Sequence, residues 1–204
     1  MLNYQLHELL DEYGESFTED PKYTIDFIKA KRQELDSLNT FDDPDDFKKY
    51  IAIIGRYMEA LVKSGKYNLA IDEANAMMPL IEESRALLAI KASKITWYLT
   101  IRFQKALAHF QLKDYAVALK EFKALQAIDL QSDEIKKWVD YSWYGKYQFY
   151  NNLVFILGAI LIFGDSLLKN HLSKNTNLLV NFTGLGLWII YFIVFFKIRR
   201  NRRK

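Results

Sequence analysis

The chain is 204 residues long, and half of its residues are apolar and 15% aromatic, a composition that excludes a disordered polypeptide. The absence of cysteine excludes a disulfide framework and a thiolate metal site. The formal net charge of +3 is unevenly spread, since the segment 147–204 carries eight lysines and arginines and one acid. Subtracted from the totals of 28 basic and 25 acidic residues, this leaves 20 basic and 24 acidic residues in 1–146. The basic character therefore belongs to the C-terminal segment, and no nucleic-acid partner is expected.

The region 1–146 is predicted to be helical throughout, because its apolar residues recur every three or four positions. Its first segment, MLNYQLHELLDEYGE, lacks the basic and apolar parts of a cleavable signal peptide, so none is expected. The prolines at 21, 44 and 79 are each predicted at the first position of a helix, where the missing N–H costs nothing. Asp20 and Asp43 are predicted N-caps. The expected fold class is all-α.

Two segments of this region are alike. LVKSGKYNLAIDEA (61–74) and HFQLKDYAVALKEF (109–122) each place a tyrosine three residues before an alanine, at Tyr67/Ala70 and Tyr115/Ala118. This resembles the core of the tetratricopeptide repeat, in which an aromatic and a small residue let paired helices pack closely. The resemblance implies antiparallel helical hairpins at about 47–78 and 95–129. The copies lie 48 residues apart rather than the family's 34, and Ala74 stands where the family has a large aromatic residue.

The resemblance also implies a concave groove that binds a protein partner, or a second copy of the chain. A mostly apolar groove suits an amphipathic helix, and the family's Lys/Asn clamp for a terminal carboxylate is absent here. In the alternative interpretation a helix of the same chain fills the groove, and 2–13 is an available amphipathic segment. The expected groove residues are Glu59, Val62, Phe103, Leu107, Phe110 and Gln111.

One pair of residues is a candidate for catalysis. Arg102 and His109 lie seven positions apart, so they share a face of a predicted helix. An arginine followed by a histidine at this spacing resembles the motif of HEPN ribonucleases, although Phe103 stands where that family has a polar residue. The alternative is that Arg102 forms an ion pair with an acid such as Glu73 or Glu121, which avoids burying an unpaired charge.

No metal or cofactor is expected. The histidines at 7, 109 and 171 fall in three separate predicted elements, and the chain has no phosphate-binding glycine loop and no nucleophile elbow. The acids of FDDPDDF do not have the spacing of a calcium loop and suit a helix start instead. The protein is therefore expected not to be an enzyme.

Two apolar stretches near the C-terminus, Phe149–Leu168 and Leu178–Phe196, are each long enough to cross a membrane as a helix. Trp and Tyr cluster just before the first stretch, between Trp138 and Tyr150, as is typical of membrane interfaces. The segment 147–204 is therefore predicted to be a transmembrane hairpin. The alternative for the first stretch is a buried core helix or a helix lying in the interface.

The charges around these stretches predict the topology. Six basic residues follow the second stretch, whereas the loop between the stretches carries only Lys169, His171 and Lys174. The positive-inside rule then places both termini in the cytosol, most simply at a bacterial inner membrane. The basic end is also expected to bind anionic lipid headgroups, through Lys197, Arg199, Arg200, Arg202 and Arg203.

Polar residues within the stretches are expected to face each other. A loop at 169–176 centres the hairpin near position 173, which puts Asp165 level with Asn181 and close to Thr183. Hydrogen bonds among them would lower the cost of a carboxyl group in lipid, and glycines at 158, 164, 184 and 186 would let the helices approach. Asp165 would then either lock the hairpin or line an ion path in an oligomer.

These features together favour a membrane-tethered adaptor that presents a partner-binding groove to the cytosol. The first alternative is an oligomeric membrane effector whose hairpins assemble into a pore. The second is a ribonuclease similar to the HEPN family, acting through Arg102 and His109.

Overall fold

The computed structural model describes Glu8, Glu12 and residues 20–37, 41, 43–92, 95–129, 131–168 and 174–202. In these residues the chain forms helices and no strand, which confirms the all-α class. The helices are α1 Pro21–Ala30, α2 Arg32–Ser37, α3 Pro44–Lys63, α4 Tyr67–Leu87, α5 Thr96–Gln111, α6 Tyr115–Ile128, α7 Asp133–Leu168 and α8 Lys174–Arg202.

Two helix starts follow the local sequence. The Asp20 carboxylate accepts a hydrogen bond from the Lys22 N–H at 2.9 Å, and the Asp43 carboxylate accepts one from the Asp45 N–H at 2.8 Å. A proline follows each cap at the first helical position. Both predicted N-caps are therefore confirmed, since capping depends only on the neighbouring residues.

Pro79 is not at a helix start, so that prediction is wrong. It lies inside α4, which runs on to Leu87 and buries Ile81 and Ser84. Proline removes one helical hydrogen bond and crowds the preceding turn. The packing of α4 against α3 and α5 offsets that cost, because the extra turns bury side chains that a shorter helix would expose.

Helix α3 is the centre of the unit Met1–Ile135, called the first unit below. Eleven of its 20 residues are buried, and it packs against α1, α4 and α5. Its half-exposed and exposed residues, such as Arg56 and Glu59, lie along one side, so the other sides of the helix face the core. Gly55 lets the Trp97 ring of α5 pack directly against the backbone of α3, because a Cβ at position 55 would lie 2.5 Å from Cε3 of Trp97.

Three helices end in the same type of turn. A residue with positive φ follows α3, α4 and α5, at Gly65 (72°), Ala89 (51°) and Lys113 (64°). In each turn the next amide donates to a carbonyl five residues earlier, as in Lys66 to Leu61 and Asp114 to His109. These bonds satisfy carbonyls at the helix ends and reverse the chain, so α3/α4 and α5/α6 are each joined by a tight turn.

The chain separates into two compact units, Met1–Ile135 and Lys136–Lys204. The boundary expected from sequence, between 146 and 147, lies further along α7. Helix α7 is continuous from Asp133 and so begins just before the division between the units.

Candidate functional site

In the second unit, α7 and α8 meet at two glycines. A Cβ added to Gly158 would lie 3.1 Å from the Gly184 carbonyl oxygen, and one added to Gly184 would lie 3.1 Å from the Gly158 carbonyl oxygen. Glycine favours such a close approach of two backbones, because any Cβ would be in tight contact with the opposite carbonyl. Gly186 was expected to share this role, but a Cβ there would meet nothing within 4 Å, so that expectation is wrong.

Aromatic side chains extend the contact beside the glycines. The ring of Phe155 on α7 stacks on Trp188 of α8 with centroids 5.5 Å apart, and it also contacts Tyr191 at 4.8 Å. The indole N–H of Trp188 donates to the Phe155 carbonyl at 3.3 Å. A buried indole N–H needs an acceptor, and a Trp in the middle of an apolar stretch could have signalled such a contact.

The contacts set the direction and register of the two helices. Position 155 contacts 188 and 191, and positions 158 and 162 contact 184, so the two helices are antiparallel. The two residue numbers of each contacting pair average between 171 and 173, which is where these contacts place the centre of the hairpin. The value expected from the loop was 173.

The sides of α7 and α8 away from this contact are apolar and exposed. On α7 the exposed large apolar residues are Trp143, Tyr147, Phe149, Tyr150, Leu153, Ile156, Leu157, Ile160 and Phe163. On α8 they are Leu179, Phe182, Leu185, Ile189, Ile190, Phe192, Ile193 and Phe196. Contiguous apolar surface on this scale marks a site of interaction with a membrane or with protein.

One described helix, α7, is long and apolar enough over Asp133–Phe163 to cross a membrane, as judged by length and composition. The apolar part of α8 among the described residues, Phe182–Phe196, is shorter than a span. Two membrane spans were expected, and in the part of the chain that the structure describes one helix has the length and composition of a span.

The polar residues expected inside the hairpin are described only in part. Thr183 donates its hydroxyl to the Leu179 carbonyl of its own helix at 2.8 Å, so its hydrogen bond is made within α8. The side chains of Asp165 and Asn181 lie outside the described residues. So do those of the expected headgroup-binding residues Lys197, Arg199, Arg200 and Arg202, and the whole of Arg203.

In the first unit, the α3 residues expected in the groove have unequal exposure. Val62 is 9% exposed and belongs to the core, whereas Glu59 is half-buried at the surface. Gln111, at the end of α5, is exposed. Arg56 lies one turn before Glu59, and its guanidinium is 5.7 Å from the centre of the Trp97 ring.

The apolar groove residues of α5 make contacts within the unit. The Phe103 ring packs edge-on against Phe122 at 5.5 Å, and the Phe110 ring packs edge-on against Tyr115 at 5.2 Å, so both contact α6. Leu107 is half-buried and packs against the core. A substitution at any of these three positions would therefore change the packing of the unit as well as its surface.

Arg102 lies in a polar network between α4, α5 and α6. Its guanidinium donates to the Tyr98 hydroxyl at 3.3 Å and to the Glu121 carboxylate at 3.2 Å. Tyr98 donates its hydroxyl to Glu82, and Lys105 also lies 3.6 Å from Glu121. Glu121 is one of the acids that were expected to pair with Arg102, and this ion pair is present. The other expected partner, Glu73, instead pairs with Arg32.

Burial and hydrogen bonding shift the pKa values in this network. Burial first, and then the hydrogen bond to Glu82, raise the pKa of Tyr98 above its ordinary value. Burial alone would raise the pKa of Glu82, but hydrogen bonds from Tyr98 and Arg85 outweigh it and lower that pKa. Sequence reasoning missed Tyr98 and Glu82. The spacing of four between Tyr98 and Arg102 on one helix was the available signal.

His109, the second residue of the candidate catalytic pair, has a different partner. Its Nδ1 lies 3.2 Å from the Asp114 carboxylate, beyond the turn that ends α5. Arg102 and His109 are therefore engaged by separate acids, Glu121 and Asp114. Among the described residues no group of three or more His, Cys, Asp or Glu side chains could hold a metal ion.

Comparison of the chain with protein-family models, with curated proteins and with solved structures found no match.

Proposed function

We propose that this protein is a membrane-anchored adaptor: α7 and α8 cross a bilayer as a hairpin and hold the unit Met1–Ile135 at its cytosolic face, where that unit binds another protein. The observation that carries the proposal is the division of side chains in the second unit. Glycines and stacked rings face the partner helix, while large aliphatic and aromatic side chains face outward.

The dimensions of the exposed surface support a membrane rather than a water-facing site. The exposed large apolar residues extend from 143 to 163 on α7 and from 179 to 196 on α8. At 1.5 Å per residue these are roughly 30 and 25 Å long, close to the thickness of a hydrocarbon core of about 30 Å. The aliphatic side chains also match lipid tails chemically, so the inner contact must depend on close packing rather than on the hydrophobic effect.

A pair of matched Leu→Lys substitutions tests membrane insertion. Leu157→Lys places a charge on the exposed face of α7 and should disfavour insertion by about 2.5–3.5 kcal/mol, so less protein should resist alkaline extraction from membranes. Leu87→Lys is the control, because Leu87 is the more exposed of the two, 76% against 45%, but belongs to the first unit. Insertion is contradicted if wild-type protein is extracted by alkali, or if both variants behave alike.

The partner-binding surface is proposed on the stripe where α3 and α5 are half-exposed. Arg56 and Glu59 on α3 lie there with Trp97 on α5, and Gln111 is exposed at the far end of α5. This stripe retains polar groups that water or a partner can reach, whereas Phe103 and Phe110 are already packed on α6. The proposal therefore moves the contact toward Glu59 and Gln111, within the groove expected from sequence.

Charge reversal on this stripe tests the adaptor role without altering the core. Glu59→Lys should weaken capture of a cross-linked protein partner from the native host by about tenfold, as expected for an interfacial charge worth 1–2 kcal/mol. Glu83→Lys is the matched control, because Glu83 is exposed on α4, outside the stripe. Equal capture by the two variants would remove the stripe from the binding surface. Unchanged helicity in both would show that folding is not the cause.

A further inference from the structure

The exposed aliphatic side chains of α7 and α8 end at the same level. On α7 they begin at Leu153, and on α8 they end at Ile193. The helix contacts pair positions that average to about 172, and residues 153 and 193 average to 173. The contacts at 155–162 therefore align this end of the aliphatic surface on the two helices.

Beyond this level α7 carries amphipathic rings and a cation. The rings of Trp143 and Tyr147 lie 5.1 Å apart, and both are exposed. The Lys146 ammonium lies 5.3 Å from the centre of the Tyr147 ring. Trp and Tyr prefer the headgroup level of a bilayer, where one end of the ring is apolar and the other is hydrated.

At the same level α8 enters its basic end. The helix continues to Arg202 and carries positions 197, 199, 200 and 202 after the apolar surface ends. The register puts these positions opposite 142–147 of α7. Helix α8 carries no acid, and neither does α7 between 141 and 164, while the next acid on α7, Asp140, lies just beyond this level. Positive charge therefore outweighs negative charge at this level.

We infer that these residues form a headgroup collar, made of Trp143, Lys146 and Tyr147 on α7 and positions 197, 199 and 200 on α8, which binds the phosphate-bearing headgroups of anionic phospholipids. This rests on the proposed membrane insertion and adds to it a lipid specificity and a depth. The cations attract the headgroup phosphate, and the rings hold the collar at the boundary between headgroups and tails.

Lipid selectivity of the full chain tests the collar. The protein is reconstituted into phosphatidylcholine vesicles that contain a trace of spin-labelled phosphatidylglycerol or spin-labelled phosphatidylcholine. Wild-type protein should immobilise the anionic label preferentially. Lys197→Gln/Arg199→Gln/Arg200→Gln should reduce that preference by about fivefold or more, the effect of roughly one headgroup contact. Lys91→Gln/Lys120→Gln/Lys123→Gln, which removes three charges from exposed positions of the first unit, should leave it unchanged.

A measurement of how deep the residues lie in the bilayer tests the collar independently of its charge. Because the chain has no cysteine, single substitutions give unique labelling sites. A spin label at Tyr147→Cys should collide mainly with a water-soluble nickel complex, and one at Ile156→Cys mainly with oxygen dissolved in the bilayer. A Tyr147 label as deep as the Ile156 label would overturn the collar's position.

The outcomes separate this inference from the proposed function. If all variants stay in the membrane after alkaline extraction but the basic-end variant keeps full anionic preference, the collar is wrong and membrane insertion stands. If wild-type protein is itself extracted, insertion is wrong and the collar falls with it.

Discussion

Replacing Gly158 with valine should separate α7 from α8. An added Cβ would lie 2.5 Å from Cδ1 of Trp188 and 3.1 Å from the Gly184 carbonyl oxygen, so both a ring and the opposite backbone must move. The stack of Phe155 on Trp188 and the indole hydrogen bond depend on the same approach. Overpacking typically costs about 1–3 kcal/mol, and here the loss of the aromatic contacts adds to it.

The measurement uses two labels on exposed faces of the helices. Spin labels at Leu153→Cys and Ile190→Cys should give one narrow distance distribution in detergent, and Gly158→Val should lengthen and broaden it. Gly186→Val is the control, because a side chain there meets nothing within 4 Å and the distribution should stay narrow. If Gly158→Val also leaves it narrow, the glycine contact does not set the hairpin packing.

Replacing Tyr98 with alanine should lower the free energy of unfolding of the first unit by about 3–5 kcal/mol, the range for removing a large buried ring. Tyr98 is 2% exposed, and its hydroxyl joins Glu82 on α4 to Arg102 on α5. Tyr98→Phe keeps the ring and removes only the hydroxyl. It should cost about 1.5–3 kcal/mol, as expected for hydrogen bonds to charged groups.

Urea unfolding of the full chain in mild detergent, followed by circular dichroism, measures both effects. Tyr115→Phe is the control, since its hydroxyl makes no hydrogen bond within the described part of the chain, and it should change the free energy by less than about 0.5 kcal/mol. A Tyr98→Phe protein as stable as wild type would show that the network is not stabilising.

The stability lost in Tyr98→Phe should depend on pH, because the Tyr98 hydroxyl donates a hydrogen bond to the Glu82 carboxylate. The pKa of Glu82 is lowered on folding from a value of 4.5, so the ionised carboxylate stabilises the folded state above that pH. Its contribution is lost as the pH falls through the lower folded value. The stability difference between wild type and Tyr98→Phe should therefore be full near neutral pH and smaller in acid.

Features that depend on neighbouring residues were predictable from the sequence. Asp20 and Asp43 cap helices because their side chains reach amides two residues away, whatever the rest of the chain does. The all-α class followed from the helical period of the apolar residues. That Arg102 pairs with an acid could be predicted, because an arginine within an apolar stripe requires a partner.

Features that depend on contacts between distant helices were decided by the tertiary structure alone. Pro79 lies inside α4 because packing against α3 and α5 outweighs its local preference for a helix start. Arg102 pairs with Glu121, whereas Glu73 pairs with Arg32, 41 residues away in sequence, and the folding of the helices decides both pairs.

The glycines of the second unit were also partly predictable from the sequence and partly decided by the contacts between helices. From the sequence alone one could predict that the two apolar stretches contain glycines at which helices can approach each other. The rotation of α7 against α8 decided that Gly158 and Gly184 form the contact while Gly186 faces open space. That rotation depends on how Trp188 and Phe155 fit together across the two helices, and the local sequence contains no information on such a fit.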